Sequence, residues 1–159
     1  MITPEIRSII DKVAAQYGIN PDLVAAFVLT ESSGDPKAYR YEPAFYQRYI
    51  IPLNLPEDEG KGRAASYGLM QIMGEVAREL GFTGAFDELY DPEIGLNYGV
   101  KHLHSFISRY VSSDNSLNPA IAAYNAGSPR KNPDGTFVNQ QYVDTVNRHF
   151  AEVVQARSA

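Results

Sequence analysis

Hydrophobic residues recur at helical spacing along much of the chain. The two clearest stripes step by three or four residues, which places their side chains on one face of a helix. They are Ile6, Ile9, Val13 and Tyr17 near the start of the chain, and Leu96, Val100, Leu103, Ile107 and Tyr110 beyond its middle. Both stripes predict helices that pack against a core.

Helix starts are marked at four positions by a capping residue followed by proline. An Asn, Asp or Thr side chain can bond the first free backbone N–H groups of a helix, and proline fits its first turn. The four pairs are Thr3-Pro4, Asn20-Pro21, Asp91-Pro92 and Asn118-Pro119. Two further helices are predicted over about residues 72–80, ended by Gly81, and over about residues 140–154. The fold class is therefore all-α, or α+β at most through short strands.

The connections between these helices are rich in residues that interrupt helical spacing. Residues 49–55, flanked and broken by prolines, are predicted to be a short extended piece. Residues 52–66 are rich in charge and in Gly and Pro, and are predicted to be an exposed, mobile loop. Residues 128–139 contain Asn132-Pro133 and Asp134-Gly135, and are predicted to be a turn-rich connection. Neither loop has the composition of a domain linker.

Composition narrows the range of functions. The 159 residues are 44% hydrophobic and 21% charged, which fits one globular domain over residues 1–159. The net charge is -5 and Lys and Arg are not clustered, so we expect no nucleic-acid partner. With no cysteine, the chain can form no disulfide and no zinc–thiolate site. No integral membrane segment is expected, and residues 1–18 lack the apolar run of a secretory signal.

The three histidines do not predict a metal site. His102 and His104 are two residues apart, so on a helix they point in different directions and cannot bind one ion together. His149 stands alone in the last predicted helix. We expect all three to be ordinary surface or boundary residues, and we expect no metal and no other cofactor.

Glu31 is the strongest candidate for acid–base chemistry. It ends the apolar stretch that follows Asn20, and Gly34 is placed to stop that helix just beyond it. Phe27 and Val28 lie one turn behind it on the same face. Apolar surroundings and the negative end of the helix dipole both disfavour a carboxylate. A raised pKa is therefore predicted, which suits a general acid near neutral pH, although most Glu residues at helix ends are simply solvated.

Three other motifs carry groups that can bind a sugar. Residues 66–71 contain a turn at Gly68, followed by the thioether of Met70 and the amide of Gln71. Residues 122–127 end a helix of small residues with Tyr124 and Asn125, and Tyr142 opens the last predicted helix. Taken singly each motif is weak, because a tyrosine in a helix is more often a packed core residue.

The order of these motifs resembles the lytic transglycosylase family, in particular the soluble-lytic-transglycosylase-like catalytic domain related to goose-type lysozyme. The resemblance covers about residues 19–146 and implies a lysozyme-like fold. The residues that carry it are Glu31-Ser32 with Asp35-Pro36 and Ala38, Tyr67-Gly68-Leu69-Met70-Gln71, Asp91-Pro92 with Asn97 and Gly99, Ala123-Tyr124-Asn125-Ala126-Gly127, and Tyr142-Val143.

The resemblance also implies roles for individual residues. Glu31 matches the single catalytic acid/base of the family. The residues that match substrate-binding or supporting positions around it are Ser32, Met70, Gln71, Tyr124, Asn125 and Tyr142. The family often has Glu-Thr just before the last Tyr-Val, and here those positions are Val138 and Asn139.

The implied reaction is cleavage of the β-1,4 bond between N-acetylmuramic acid and N-acetylglucosamine in peptidoglycan. Glu31 first protonates the glycosidic oxygen and then, as a base, helps the muramic acid 6-hydroxyl to close a 1,6-anhydro ring. The partner implied is therefore the peptidoglycan glycan strand. The site of action is the cell wall, whether periplasmic, extracellular or associated with a phage virion or phage lysis.

Two features of residues 40–49 leave alternatives open. Their aromatic side chains could stack on sugars beside the cleft, or could belong to a surface helix with Phe45 and Tyr49 buried. Glu42 is the candidate second carboxylate for a lysozyme-like hydrolase, which needs one to activate water. A glutamate in this position more often forms an ion pair, here with Arg40 or Arg48, or accepts a hydrogen bond. A third alternative is a module that binds peptidoglycan without cleaving it. Phage or bacterial origin and oligomeric state stay open.

Overall fold

Helices dominate the structure, a computed structural model that describes residues 1–110 and 112–158. The helices in these ranges are α1 (Pro4–Tyr17), α2 (Pro21–Ser32), α3 (Pro43–Phe45), α4 (Glu57–Arg63), α5 (Gly74–Glu79), α6 (Pro92–Arg109), α7 (Asn118–Ala126) and α8 (Gln140–Ser158). A π-helical turn at Tyr46–Ile50 and two 3₁₀ turns at Ile51–Leu53 and Phe86–Tyr90 complete the helical part.

Three short strands that lie between α2 and α5 in the sequence form a small antiparallel sheet. Its strands are β1 (Tyr39–Tyr41), β2 (Ala65–Tyr67) and β3 (Ile72–Met73), in the order β1-β2-β3. Tyr39 pairs with Tyr67, and Ser66 pairs with Met73. The prediction of an all-α fold with short strands at most is therefore confirmed.

The core surrounds α2. Residues 22–28 of this helix are buried on every side, which explains why it is apolar around its circumference. Helices α1 and α8 pack against it, and α6 packs against α1 and α7. The hairpin turn between β2 and β3 closes the core, because Met70 fits against Gly99 of α6, where a Cβ would lie 2.8 Å from the Met70 Cβ. The carboxyl end of α2 is left facing out of the core.

Three of the four predicted caps are present. Thr3, Asn20 and Asp91 each accept a backbone hydrogen bond from the first turn of the following helix, at 2.9–3.2 Å. The prediction for Asn118 is wrong, because α7 already includes it. Its Oδ1 instead accepts a 2.9 Å hydrogen bond from Nδ2 of Asn147 in α8. The Asn118 side chain therefore forms a tertiary contact with α8 instead of capping α7.

Several boundaries differ from the sequence prediction. Residues 49–53 of the predicted extended piece are helical instead, and residues 52–66 contain α4 and the start of β2 rather than a continuous loop. Arg78 and Arg63 both bind the carboxylate of Glu59 at 2.8 Å, which fixes α4 to α5 and lowers the pKa of Glu59 to about 2. The helix predicted at residues 72–80 begins only at Gly74, since residues 72–73 pair in the sheet. Among the helices in the described ranges, none is both long and apolar enough to cross a membrane.

Candidate active site

A cleft of about 630 Å³ opens beside the carboxyl end of α2. Its walls come from α2, the segment that includes β1 and α3, the β2–β3 hairpin, and helices α5 to α8. Charged and polar side chains are grouped there among aromatic ones: Glu31, Arg40, Glu42, Gln71, His102, Tyr124, Asn125 and Tyr142. The sequence predicted all of these as site residues or as neighbours of the site except His102.

Glu31 lies in the last turn of α2. The helix stops two residues later, where Ser33 adopts a left-handed conformation with a φ of 54°. Oε2 of Glu31 accepts a 2.5 Å hydrogen bond from the hydroxyl of Tyr142, which belongs to α8. Burial raises the pKa of Glu31, and the Tyr142 hydrogen bond and the charge of Arg40 offset part of that rise. The carboxyl is therefore protonated at a higher pH than an exposed Glu would be, as a general acid requires.

Tyr142 is suited to remain a hydrogen-bond donor. Burial is the largest cause that raises its pKa, and the charge and hydrogen bond of Glu31 raise it further. A hydroxyl that keeps its proton can orient one oxygen of the carboxyl and leave the other free for a ligand. The contact joins residues 111 positions apart in the chain.

Ser32 faces the protein rather than the cleft. Its Oγ lies 2.8 Å from the carbonyl oxygen of Leu69 and 3.0 Å from that of Val28, and it accepts a hydrogen bond from the Gly34 N–H at 3.3 Å. The hydroxyl thus joins the end of α2 to the β2–β3 hairpin. This geometry favours a positioning role for Ser32, next to the acid.

Ser32→Ala is expected to lower the free energy of unfolding by about 1–2 kcal/mol, because the Leu69 carbonyl then lacks its partner. We also expect slower turnover, since the end of α2 is less firmly held against the hairpin. Urea unfolding and initial rates measure the two effects. Ser33→Ala is the matched control, since the Ser33 hydroxyl forms no hydrogen bond within the described residues. Equal stability of the two variants would contradict this role of Ser32.

Met70 and Tyr124 form a buried contact behind the cleft. The Met70 side chain lies in the core, only 1% exposed, rather than on the cleft wall where the resemblance placed it. Its carbonyl oxygen accepts a 2.7 Å hydrogen bond from the Tyr124 hydroxyl. The Tyr124 ring lines the cleft and packs against Phe27 of α2, with ring centres 4.9 Å apart. Tyr124 therefore shapes the wall with its ring, while its hydroxyl is already bonded.

Gln71 presents a hydrogen-bond acceptor to the cleft. Its Nε2 donates to the carbonyl oxygens of Ala38 and Gly68, at 3.0 and 3.1 Å. Both partners are acceptors, so they fix the orientation of the amide and use both of its N–H groups. Its backbone φ of 49° is unusual for a residue other than glycine, and the turn that produces it points the side chain toward the cleft.

Asn125 is held by the residue that departs from the family pattern. Asn139 donates from its Nδ2 to Oδ1 of Asn125 at 2.9 Å and to the Ala122 carbonyl at 3.0 Å. The Asn125 amide therefore keeps its own N–H groups for a ligand. An asparagine at position 139 thus supports the end of α7 beside the cleft.

The segment around β1 and α3 gives the cleft a charged and aromatic edge. Arg40 and Glu42 line it and pair with each other at 3.0 Å. Phe45 also lines it, and its ring centre lies 5.0 Å from that of Tyr49. Tyr49 is 51% exposed, so the alternative of a surface helix with both rings buried is wrong. The half-buried Phe45 ring thus adds an aromatic side chain to the edge of the cleft.

His102 is the site residue that sequence reasoning missed. It lines the cleft from α6, whereas His104 is exposed. Burial, helped by the charge of Arg109, lowers the pKa of His102 to about 4. The one available signal was its position a single turn after Gly99, the residue on which the Met70 hairpin packs.

A helical fold with a partly buried glutamate beside an open polar cleft is typical of a lysozyme-like domain. Residues 8–141 match the family described as the Transglycosylase SLT domain, so the chain belongs to that family. Tyr142, which bonds Glu31, lies one residue beyond the matched range.

Two relatives indicate where such domains occur. The chain is 32% identical over 123 residues to the transglycosylase of Enterobacteria phage PRD1, covering 77% of this chain and 35% of the relative. It is 28% identical over 130 residues to the membrane-bound lytic murein transglycosylase C of Haemophilus influenzae (strain PittEE), covering 76% of this chain and 30% of the relative. The chain thus spans about a third of the length of these curated relatives.

Proposed function

We propose that the chain is a peptidoglycan lytic transglycosylase, which cleaves the bond between N-acetylmuramic acid and N-acetylglucosamine and leaves a 1,6-anhydromuramic end. The observation that carries the proposal is the Glu31 carboxyl, which is partly buried, lines the cleft and accepts a hydrogen bond from Tyr142. Membership of the transglycosylase family and the murein named for the H. influenzae relative support the choice of substrate.

The proposed reaction uses one carboxyl twice. Protonated Glu31 donates its proton to the glycosidic oxygen, and the bond from that oxygen to the muramic acid C1 breaks. The Glu31 carboxylate then accepts the proton of the muramic acid 6-hydroxyl, while the oxygen of that hydroxyl forms a bond to C1. The enzyme regains its starting protonation state, and no water is consumed. A raised pKa favours the first step because it keeps the Glu31 carboxyl protonated to a higher pH than an exposed Glu.

The other predicted residues are proposed to hold the glycan strand and the acid. Gln71 offers an acceptor and Asn125 offers donors to sugar hydroxyl or acetamido groups. Tyr142 orients the Glu31 carboxyl, and Ser32 fixes the helix end that carries it. Phe45 can place an aromatic face against a sugar ring at the edge of the cleft.

A lysozyme-like hydrolase is the second candidate, because Glu42 lines the same cleft as Glu31. An inverting hydrolase needs its second carboxylate free to accept a proton from water. Glu42 instead pairs with Arg40, which competes for the same oxygens. We therefore place hydrolysis second. A module that binds peptidoglycan without cleaving it is the third candidate. Such a module does not need a catalytic acid, whereas here Glu31 is present and accepts a hydrogen bond from Tyr142.

We propose the cell wall as the place of action. Peptidoglycan lies outside the cytoplasmic membrane, and the relatives include one phage protein and one protein named as membrane-bound.

The test of the proposed reaction is a mass analysis of muropeptides released from purified peptidoglycan. We expect products that end in anhydromuramic acid, one water lighter than hydrolysis products. Reducing muramic ends would instead identify the hydrolase, and then Glu42→Gln should abolish release. Binding to the sacculus without any soluble product would identify the binding module.

A further inference from the structure

The wall of the cleft formed by α5, α6 and α7 contains a histidine that the proposed mechanism does not use. His102 lies with its ring centre 4.6 Å from that of Phe106 and 5.3 Å from that of Tyr124. Contacts with these two rings hold the imidazole in place. Within residues 1–110 and 112–158, no side chain or backbone group forms a hydrogen bond with its ring nitrogens. The ring is thus fixed, while its polar atoms are left for a ligand.

The imidazole is neutral at the pH where the enzyme would act, because its pKa is lowered to about 4. A neutral imidazole has one N–H donor and one nitrogen acceptor. It therefore matches an uncharged polar group better than a carboxylate or an ammonium. The neighbouring Tyr124 hydroxyl cannot donate to the same ligand, since its proton already goes to the Met70 carbonyl oxygen.

The surroundings of His102 select among uncharged groups. Phe106, which contacts His102, and Met73 and Val76 also line the cleft with apolar side chains. A sugar hydroxyl has no apolar part to place against them. A 2-acetamido group has an amide that can pair with imidazole and a methyl group that can be buried on the apolar side chains.

We propose that His102 is a specificity-determining residue that recognises the 2-acetamido group of a peptidoglycan sugar. The amide of that group hydrogen-bonds the imidazole, and its methyl group lies against Met73, Val76 and Phe106. This inference rests on the proposed function for its substrate class, but not on the outcome of bond cleavage. A sugar that has lost its acetyl group would present an ammonium to an apolar wall and a neutral ring, which is unfavourable.

Binding in the Glu31→Gln background tests the inference separately from the chemistry. Co-sedimentation measures the affinity of this protein for insoluble sacculi, either fully N-acetylated or enzymatically de-N-acetylated. We expect the protein to bind the acetylated sacculi at least about fivefold more tightly. A preference of this size corresponds to the loss of one uncharged hydrogen bond. Adding His102→Phe, which keeps the ring contacts, should reduce the preference to less than twofold. His102→Ala should do the same, and His102→Gln should restore part of the preference.

His104→Phe, two residues away on the exposed side of α6, is the matched control and should keep the full preference. Comparing ratios between variants removes the general attraction of this acidic protein to ammonium groups. A preference that survives both His102→Phe and His102→Ala would overturn the proposal. An equal loss of affinity for both kinds of sacculi would also overturn it, because it would assign His102 a structural role. Either result would leave the test of the cleavage products unaffected.

Discussion

Glu31→Gln is expected to reduce the release of muropeptides by about a thousandfold, the effect of removing a general acid. Glutamine has nearly the same shape, and its amide oxygen can still accept the hydrogen bond from Tyr142. The only chemical loss is the proton that the carboxyl gives and takes back. Release of soluble muropeptides from labelled sacculi, followed over hours, measures the residual rate.

The stability of this variant provides its control. In the native protein the pKa of Glu31 is raised, so between the ordinary Glu pKa of about 4.3 and this raised pKa the folded state binds more protons than the unfolded state. The free energy of unfolding then falls as the pH rises through the folded pKa. Glu31→Gln has no such loss, so its melting temperature should equal or exceed that of the native protein, with a difference that grows from pH 4 to pH 7. A variant that melts lower and is inactive would instead indicate misfolding, and retained activity would contradict the assignment of the acid.

Tyr142→Phe is expected to lower the rate by about tenfold to a hundredfold, the effect of losing a hydrogen bond to a charged group. The hydroxyl stabilises the Glu31 carboxylate, so its removal raises the pKa of Glu31 further. The alkaline limb of the pH–rate profile should therefore move to higher pH even though the maximal rate falls. Initial rates between pH 4 and pH 9 measure both effects.

Tyr124→Phe is the matched control for the shift of the pH profile. Its hydroxyl bonds the Met70 carbonyl rather than Glu31, so this variant should lose stability without moving the alkaline limb. A profile that stays in place in Tyr142→Phe, or moves to lower pH, would show that Tyr142 does not tune the acid.

The helices were predictable where local chemistry decides their ends. Thr3, Asn20 and Asp91 cap helices that begin at the next residue, and the apolar run of α2 follows directly from the sequence. Residues 49–55 were not predictable, because their prolines are compatible with an extended piece. Burial of Ile50 selects the helical turns instead, with Gly60 of α4 leaving room beside it. Such packing depends on residues that only the fold brings together.

In the site, too, features set by neighbouring residues in the chain were predictable, whereas features set by distant residues were not. The end of α2 alone predicts a raised pKa for Glu31, since the apolar stretch and the stop are adjacent to it. The resemblance supplied Tyr142, but no local pattern reveals a bond across 111 positions. The sequence did not reveal His102, because its neighbour Tyr124 is distant in the chain. His102 and His104 were considered only as a metal-binding pair, and their spacing excludes that role. The buried side chain of Met70 is likewise a property of the packing against Gly99.

The central claim is that the 6-hydroxyl of the substrate, not water, attacks the sugar. Digestion of purified peptidoglycan in water enriched in ¹⁸O tests this most directly, with mass spectrometry of the released muropeptides. We expect anhydromuramic ends that contain no ¹⁸O, and no such products from Glu31→Gln. Reducing muramic ends that carry one ¹⁸O atom at C1 would show that water is the nucleophile and would contradict the account.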